Sequence, residues 1–195
     1  MPSISVYAAL AAVFWLVIPA EAASVLSVGP RTLQTLVTQQ LFDRRGRWYL
    51  IDDGACFTFL ESPHAHFAAE RLVLNAHLVS RLGQRLGSTC AGADFASNVT
   101  LSGKLRAAAE HKLVLDDIRI DRVDDESTRS AIALALQVDP QALPRSASVD
   151  VMELARGQLA AMQGAGTRVE NLRISHVTTR SDALVIEFEV DLKAP

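Results

Sequence analysis

The chain has 195 residues, 49% of them hydrophobic, which suits one domain burying about 70% of its unfolded surface. A formal net charge of −3 leaves no global field to recruit nucleic acid. With aromatic residues at 6%, no basic-aromatic platform for single strands is present either.

Residues 4–18 form an uncharged apolar run that ends at Pro19 and is followed by Ala20-Glu21-Ala22. The small residues fit the −3 and −1 positions of a secretory signal peptide cleaved after Ala22, although no Lys or Arg precedes the run. A retained anchor is the alternative, but the run is shorter than the roughly twenty apolar residues that a span needs. The expected organisation is a signal peptide over 1–22 and one α+β domain over 23–195, with no membrane span after cleavage. No Cys near the cleavage site supports acylation. Cys56 and Cys90 allow one bridge, which an oxidising compartment would keep closed; two unrelated buried thiols are the alternative. Neither has a Cys or His companion at zinc spacing.

After Gly29-Pro30, the residues Leu33, Leu36, Val37 and Leu41 recur on one helical face. The arginines of 44–47 close this helix in a basic turn, read as a solvated helix end. Residues 48–51 and 55–60 read as short strands about the Asp52-Asp53-Gly54 turn. Pro63 breaks the pattern, which resumes over 64–79 with a bulge-like register change near Glu70-Arg71. Residues 83–93, rich in Gly and Ser, read as a loop. The longest alternating stretch follows over 98–123, with Val99, Leu101, Gly103, Leu105, Ala107, His111, Leu113 and Leu115 on its odd positions. Asp116-Asp117 then shift the register, and Ile118 and Ile120 carry the apolar face onward, as a β-bulge would do. One long, curved strand is expected, with a break near Gly103 as the alternative. Asp124-Asp125-Glu126-Ser127 offer caps for a helix from Ser127. Ile132, Leu134, Leu136 and Val138 also alternate as a strand would, but the Ala and Leu content favours helix. Residues 149–162 read as a second helix with Val151, Leu154, Ala155, Leu159 and Met162 inward. Two strands, 169–177 and 184–192, close the chain around Ser181-Asp182. The fold class expected is α+β: a curved, long-stranded antiparallel sheet wrapped around one or two helices.

This layout resembles a known pattern. An amphipathic helix precedes a strand pair broken by ESP at 61–63. Then come VTLSGKLR…HKLVLDDIRIDRV, a helix, and the closing VENLRISHV…DALVIEFEV. Over most of 28–193 it is similar to the YceB-like family of uncharacterised bacterial envelope proteins, small relatives of the tubular lipid-binding (TULIP) superfamily. The resemblance implies a half-TULIP-like sheet around a helix and a lipid ligand. It implies no active-site residues, and this chain departs from the pattern in lacking a lipidation Cys.

The chemistry-bearing residues are few. His64 and His66 share a strand face and, with His77 or His111, have the residue types of a metal site. Surface or hydrogen-bonded histidines are the stronger reading, and no metal or other cofactor is assigned. Asp116, Asp117, Asp121, Asp124, Asp125 and Glu126 lack calcium-loop spacing and read as a solvated strand edge. No G-x-S-x-G elbow occurs, and Gly164-Ala165-Gly166 follows a helix where a dinucleotide fingerprint follows a strand. No catalytic residue is assigned, so the chain is not expected to be an enzyme. Three classes stay open: a carrier of a lipid or other apolar molecule, an envelope module that binds another protein, and an enzyme with an unrecognised site. For the carrier, an apolar hollow is expected between Leu33, Leu36 and Val37, the sheet residues Leu74, Ala76, Leu101, Gly103, Leu105 and Ala107, and Leu154 and Leu159 beyond them. The small residues either leave that space or let a helix approach closely.

Overall fold

The computed structural model describes residues 24–108, 111–138, 146–152, 154–156 and 168–193. Its elements are β1 (Ser24–Val28), α1 (Pro30–Gln40), β2 (Arg47–Asp53), β3 (Cys56–Ala68), β4 (Arg71–Leu86), β5 (Thr89–Ala107) and β6 (Lys112–Val123). They continue with α2 (Glu126–Val138), β7 (Ser146–Asp150), β8 (Arg168–Thr179) and β9 (Leu184–Lys193). The signal-peptide expectation for 1–22 lies outside the described residues.

Six strands, β2 to β7, pair in sequence order as an antiparallel meander that curls into a half-barrel. The stretch 98–123 is a hairpin and not one strand: Ala107 pairs with Leu113, and the Ala108 N–H donates to the Lys112 carbonyl at 2.9 Å. The partners are both odd-numbered, so the turn preserves the odd-even pattern and is invisible to it. At Glu70-Arg71 the reverse holds. The expected bulge is a hairpin turn, in which Phe67 pairs with Leu72 and Ala69 takes φ 51°. Residues 83–93 are also not a loop. Gly83 faces Gly92 across the β4–β5 hairpin, where a Cβ on either would lie 2.3 or 1.9 Å from a carbonyl oxygen of the opposite strand. Two glycines are what let the backbones approach so closely.

The bulge expected at Asp116-Asp117 is present. The β5–β6 register slips between Ser102 and Lys104, and Asp117 has φ 50°. Arg71, at the start of β4, reaches over β5 to hold it. Its guanidinium donates to Ser102 Oγ at 3.0 Å, to the Asp117 carbonyl at 2.7 Å and to Asp117 Oδ2 at 2.9 Å. Bulges bend strands and increase their twist. A second one, at Ser62-Pro63 with Ser62 at φ 53°, lets β3 continue past the proline.

The concave face is apolar because each strand alternates: Leu72, Leu74, Ala76 and Leu78 of β4 are buried with Val99 and Leu101 of β5. Two elements cover it. Helix α1 buries Leu33 and Val37 and contacts both β3 and β7, which lie toward opposite edges of the sheet. The closing strands β8 and β9 pair with each other and β9 pairs with β1, forming a three-stranded sheet in the order β1-β9-β8 that contacts β5 through β8. Leu26, Val28, Leu172, Ile174, Leu184, Ile186 and Phe188 join it to the same core. The strand β1 and this second sheet were not anticipated from the sequence. The helix expected over 149–162 begins later than expected, because residues up to Asp150 belong to β7; helical residues occur at 152 and 154–156.

Candidate functional site

The residues expected to line a hollow fall into two groups. Leu33, Val37, Leu74, Ala76, Leu101 and Gly103 are buried in the common core. At Gly103 the space is taken: a Cβ there would lie 2.6 Å from Leu115 Cδ1, so the glycine admits Leu115 and leaves no void. Leu36, Leu105, Ala107 and Leu154 are only partly buried and pack against that core from its margin. Ile118, Ile120, Ile132 and Met152 do the same, so β6, α2 and the helical turn after β7 also contribute partly exposed apolar residues packed against the core. Ile118 and Ile120 were legible as the apolar positions after the bulge; Ile132 and Met152 were not assigned to a site. Leu159 lies outside the described residues.

Cys56 and Cys90 form a disulfide with their Cα atoms 5.1 Å apart. The bond ties the start of β3 to the twisted end of the β4–β5 hairpin, beside Gly83.

His64, His66 and His77 lie on the convex face, with the rings of His64 and His66 6.2 Å apart. His77 Nδ1 sits 3.2 Å from Asn98 Oδ1, and Thr100 donates to Asn75 Oδ1 at 2.8 Å, forming a polar row across β4 and β5. His111 is separate, in the β5–β6 turn, with Nε2 3.1 Å from Asp150 Oδ2. Among the described residues no three His, Cys, Asp or Glu side chains converge on a metal position. Nor is any helix among them long and apolar enough to cross a membrane.

The acidic segment is divided among local tasks. Asp117, at the β6 bulge, pairs with Arg71 across β5 and with Arg119, and both arginines hold its carboxyl below the usual range, Arg71 more strongly. Asp125 caps α2, accepting at 2.5 Å from the Ser127 hydroxyl and at 2.7 Å from both the N–H and the hydroxyl of Thr128. Those bonds favour the charged form and lower its pKa to about 2, Ser127 contributing most.

The most distinctive geometry is the seam of the half-barrel. Beyond Glu61, β3 has no strand on the side where β2 ended, and α1 takes that place. Gln34 Nε2 donates to the Pro63 carbonyl at 2.8 Å, and the Ala65 N–H donates to Gln34 Oε1 at 2.7 Å. At the other edge, Gln40 bonds in the same manner to both backbone groups of Asp150 in β7. Past the end of α1 the two edge strands face each other across a hollow of about 410 Å³. Gln40, Leu41, Asp43 and Arg44 line it from the helix end, Trp48, Tyr49, Leu50 and Asp52 from β2, and Ser146, Ala147 and Ser148 from β7. The arginines expected as a solvated helix end are partly engaged: Arg44 pairs with Asp52, and Arg47 pairs with Glu61 while lying 4.2 Å over the Phe59 ring.

What the fold and these sites define is a curled antiparallel half-barrel with an apolar interior and a seam partly closed by a helix. Comparison with protein-family models, curated proteins and solved structures finds no match to the chain.

Proposed function

We propose that the chain is an exported, non-enzymatic cell-envelope protein, akin to the YceB-like and TULIP proteins its sequence resembles, that binds a lipid or other apolar molecule at the margin of its concave face. The observation that carries this reading is that Leu36, Leu105, Ala107, Ile118, Ile120, Ile132, Met152 and Leu154 are partly exposed and pack against the buried core, a set that we read as one apolar rim. Such a rim offers apolar surface without a charged anchor, and each CH₂ buried there contributes about 0.8 kcal/mol. A disulfide is consistent with an oxidising compartment.

The test is Ala107→Trp. Ala107 is half-buried at the rim, so the indole should occupy the proposed site while the domain still folds. Binding of a fluorescent fatty-acid probe should be lost in the variant and present in the wild type. Wild type that binds no probe and carries no lipid in native mass spectrometry rejects the reading. So does a variant destabilised by the about 1–3 kcal/mol of an overpacked interior.

A further inference from the structure

We infer that the open part of the seam, between β2 and β7, is a binding site for an extended peptide segment of another protein, which adds to β7 as a strand. The argument begins with hydrogen-bond parity. In an antiparallel strand the N–H and C=O of one residue point to the same side, and the side alternates along the chain. The N–H and C=O of Asp150 both bond to Gln40, away from β6, while the Val151 N–H donates back to the His111 carbonyl at 3.1 Å. Ser148 and Ser146 share the parity of Asp150, so their backbone groups also point away from β6, into the hollow that they line. No backbone partner from the described residues meets them there.

Among the described residues the slot is therefore a strand edge with unmet backbone donors and acceptors, next to a position where a side-chain amide already sits as a one-residue strand. An acyl chain has no groups to satisfy that edge; a peptide backbone has them at the right repeat. The floor supplies side-chain contacts, because Leu41 is buried and Trp48, Leu50 and Ala147 pack against the core. Charge sets a preference. Arg44 and Asp52 neutralise each other, whereas the Asp43 carboxylate, exposed at the end of the slot, has no ion pair among the described residues. The occupant is accordingly an extended segment with alternating apolar side chains and a Lys or Arg that meets Asp43. This site is distinct from the apolar rim and does not rest on it.

The experiment is a fluorescence-anisotropy titration of the full chain with a labelled, end-capped six-residue peptide alternating valine and threonine around one lysine. The same peptide N-methylated at alternate amides should bind at least about tenfold more weakly, since it lacks the ladder donors. Ser148→Pro should cause a similar loss and still fold, because the N–H it removes is not used by β6 and an edge strand tolerates proline there. Asp43→Lys should weaken the lysine peptide several-fold and leave a neutral analogue unchanged. Ala107→Trp should leave peptide binding intact, so failure of the rim and failure of the seam are told apart. Absence of binding by wild type overturns the proposal. Equal binding of the methylated peptide, or displacement of the peptide by a submicellar dodecyl amphiphile, overturns it too. If Ser148→Pro fails to unfold cooperatively, the methylated peptide and Asp43→Lys decide alone.

Discussion

The side-chain amide of Gln40 bonds to the backbone of Asp150 as a neighbouring strand would, donating at 2.7 Å to its carbonyl and accepting at 2.6 Å from its N–H. The two residues are 110 positions apart in the chain, yet this contact fastens the last strand of the half-barrel to its first helix. Gln40→Ala should therefore lower stability by about 1 kcal/mol, the net worth of exposed hydrogen bonds, and speed amide exchange at Asp150. Gln34→Ala should cost about 1–2 kcal/mol, because its bonds to Pro63 and Ala65 are partly buried. Urea unfolding measures both, and a double mutant whose losses simply add would show that the two ends of α1 hold independently.

Gly103 is a packing glycine. A methyl group there meets Leu115 Cδ1 at 2.6 Å and Cγ at 2.8 Å, and the Asp116 carbonyl at 3.1 Å. Gly103→Ala should cost about 1–3 kcal/mol by overpacking. Adding Leu115→Val should recover part of that loss in thermal denaturation. If Gly103→Ala is neutral, space exists beside β5 that the packing does not reveal.

The Cys56–Cys90 bond closes a loop of 34 residues, which in the chain-entropy model is worth about 3–4 kcal/mol. Paired substitution Cys56→Ser with Cys90→Ser should lower Tm by an amount that reductant reproduces in wild type and no longer changes in the variant. Exchange protection should fall first at the β4–β5 hairpin end, the part that the bond ties back to β3.

The α2 cap supplies a pH dependence. The folded-state pKa of Asp125, lowered to about 2 from 3.8, means that the unfolded chain binds a proton first as pH falls. Its stabilisation is thus complete above about pH 4 and lost as pH drops toward about 2. Asp125→Asn keeps a capping oxygen without the titration, so the Tm advantage of wild type over this variant should shrink across that window. Asp125→Ala should lower Tm by about 2–4 °C at neutral pH. An unchanged wild-type advantage between pH 5 and about pH 2 contradicts the assignment.

Sequence alone determined the alternation that makes one sheet face apolar, the α1 stripe of Leu33 and Val37, the closing pair of strands and the bulge at Asp117. These are local consequences of period and propensity, and neighbours in the chain suffice to read them. What tertiary structure decided was every feature in which parity is ambiguous. A flip from odd to even positions is a bulge at Asp116-Asp117 but a turn at Ala69-Glu70, and a turn that keeps parity hid the hairpin between Ala107 and Leu113. Only the pairing partner distinguishes them, because a bulge and a two-residue turn shift the side-chain face by the same single step. Likewise, nothing near Gln34 or Gln40 in sequence marks them as substitutes for a strand. That role exists because the sheet curls until its edges come within reach of one helix, and curling is a property of the whole sheet.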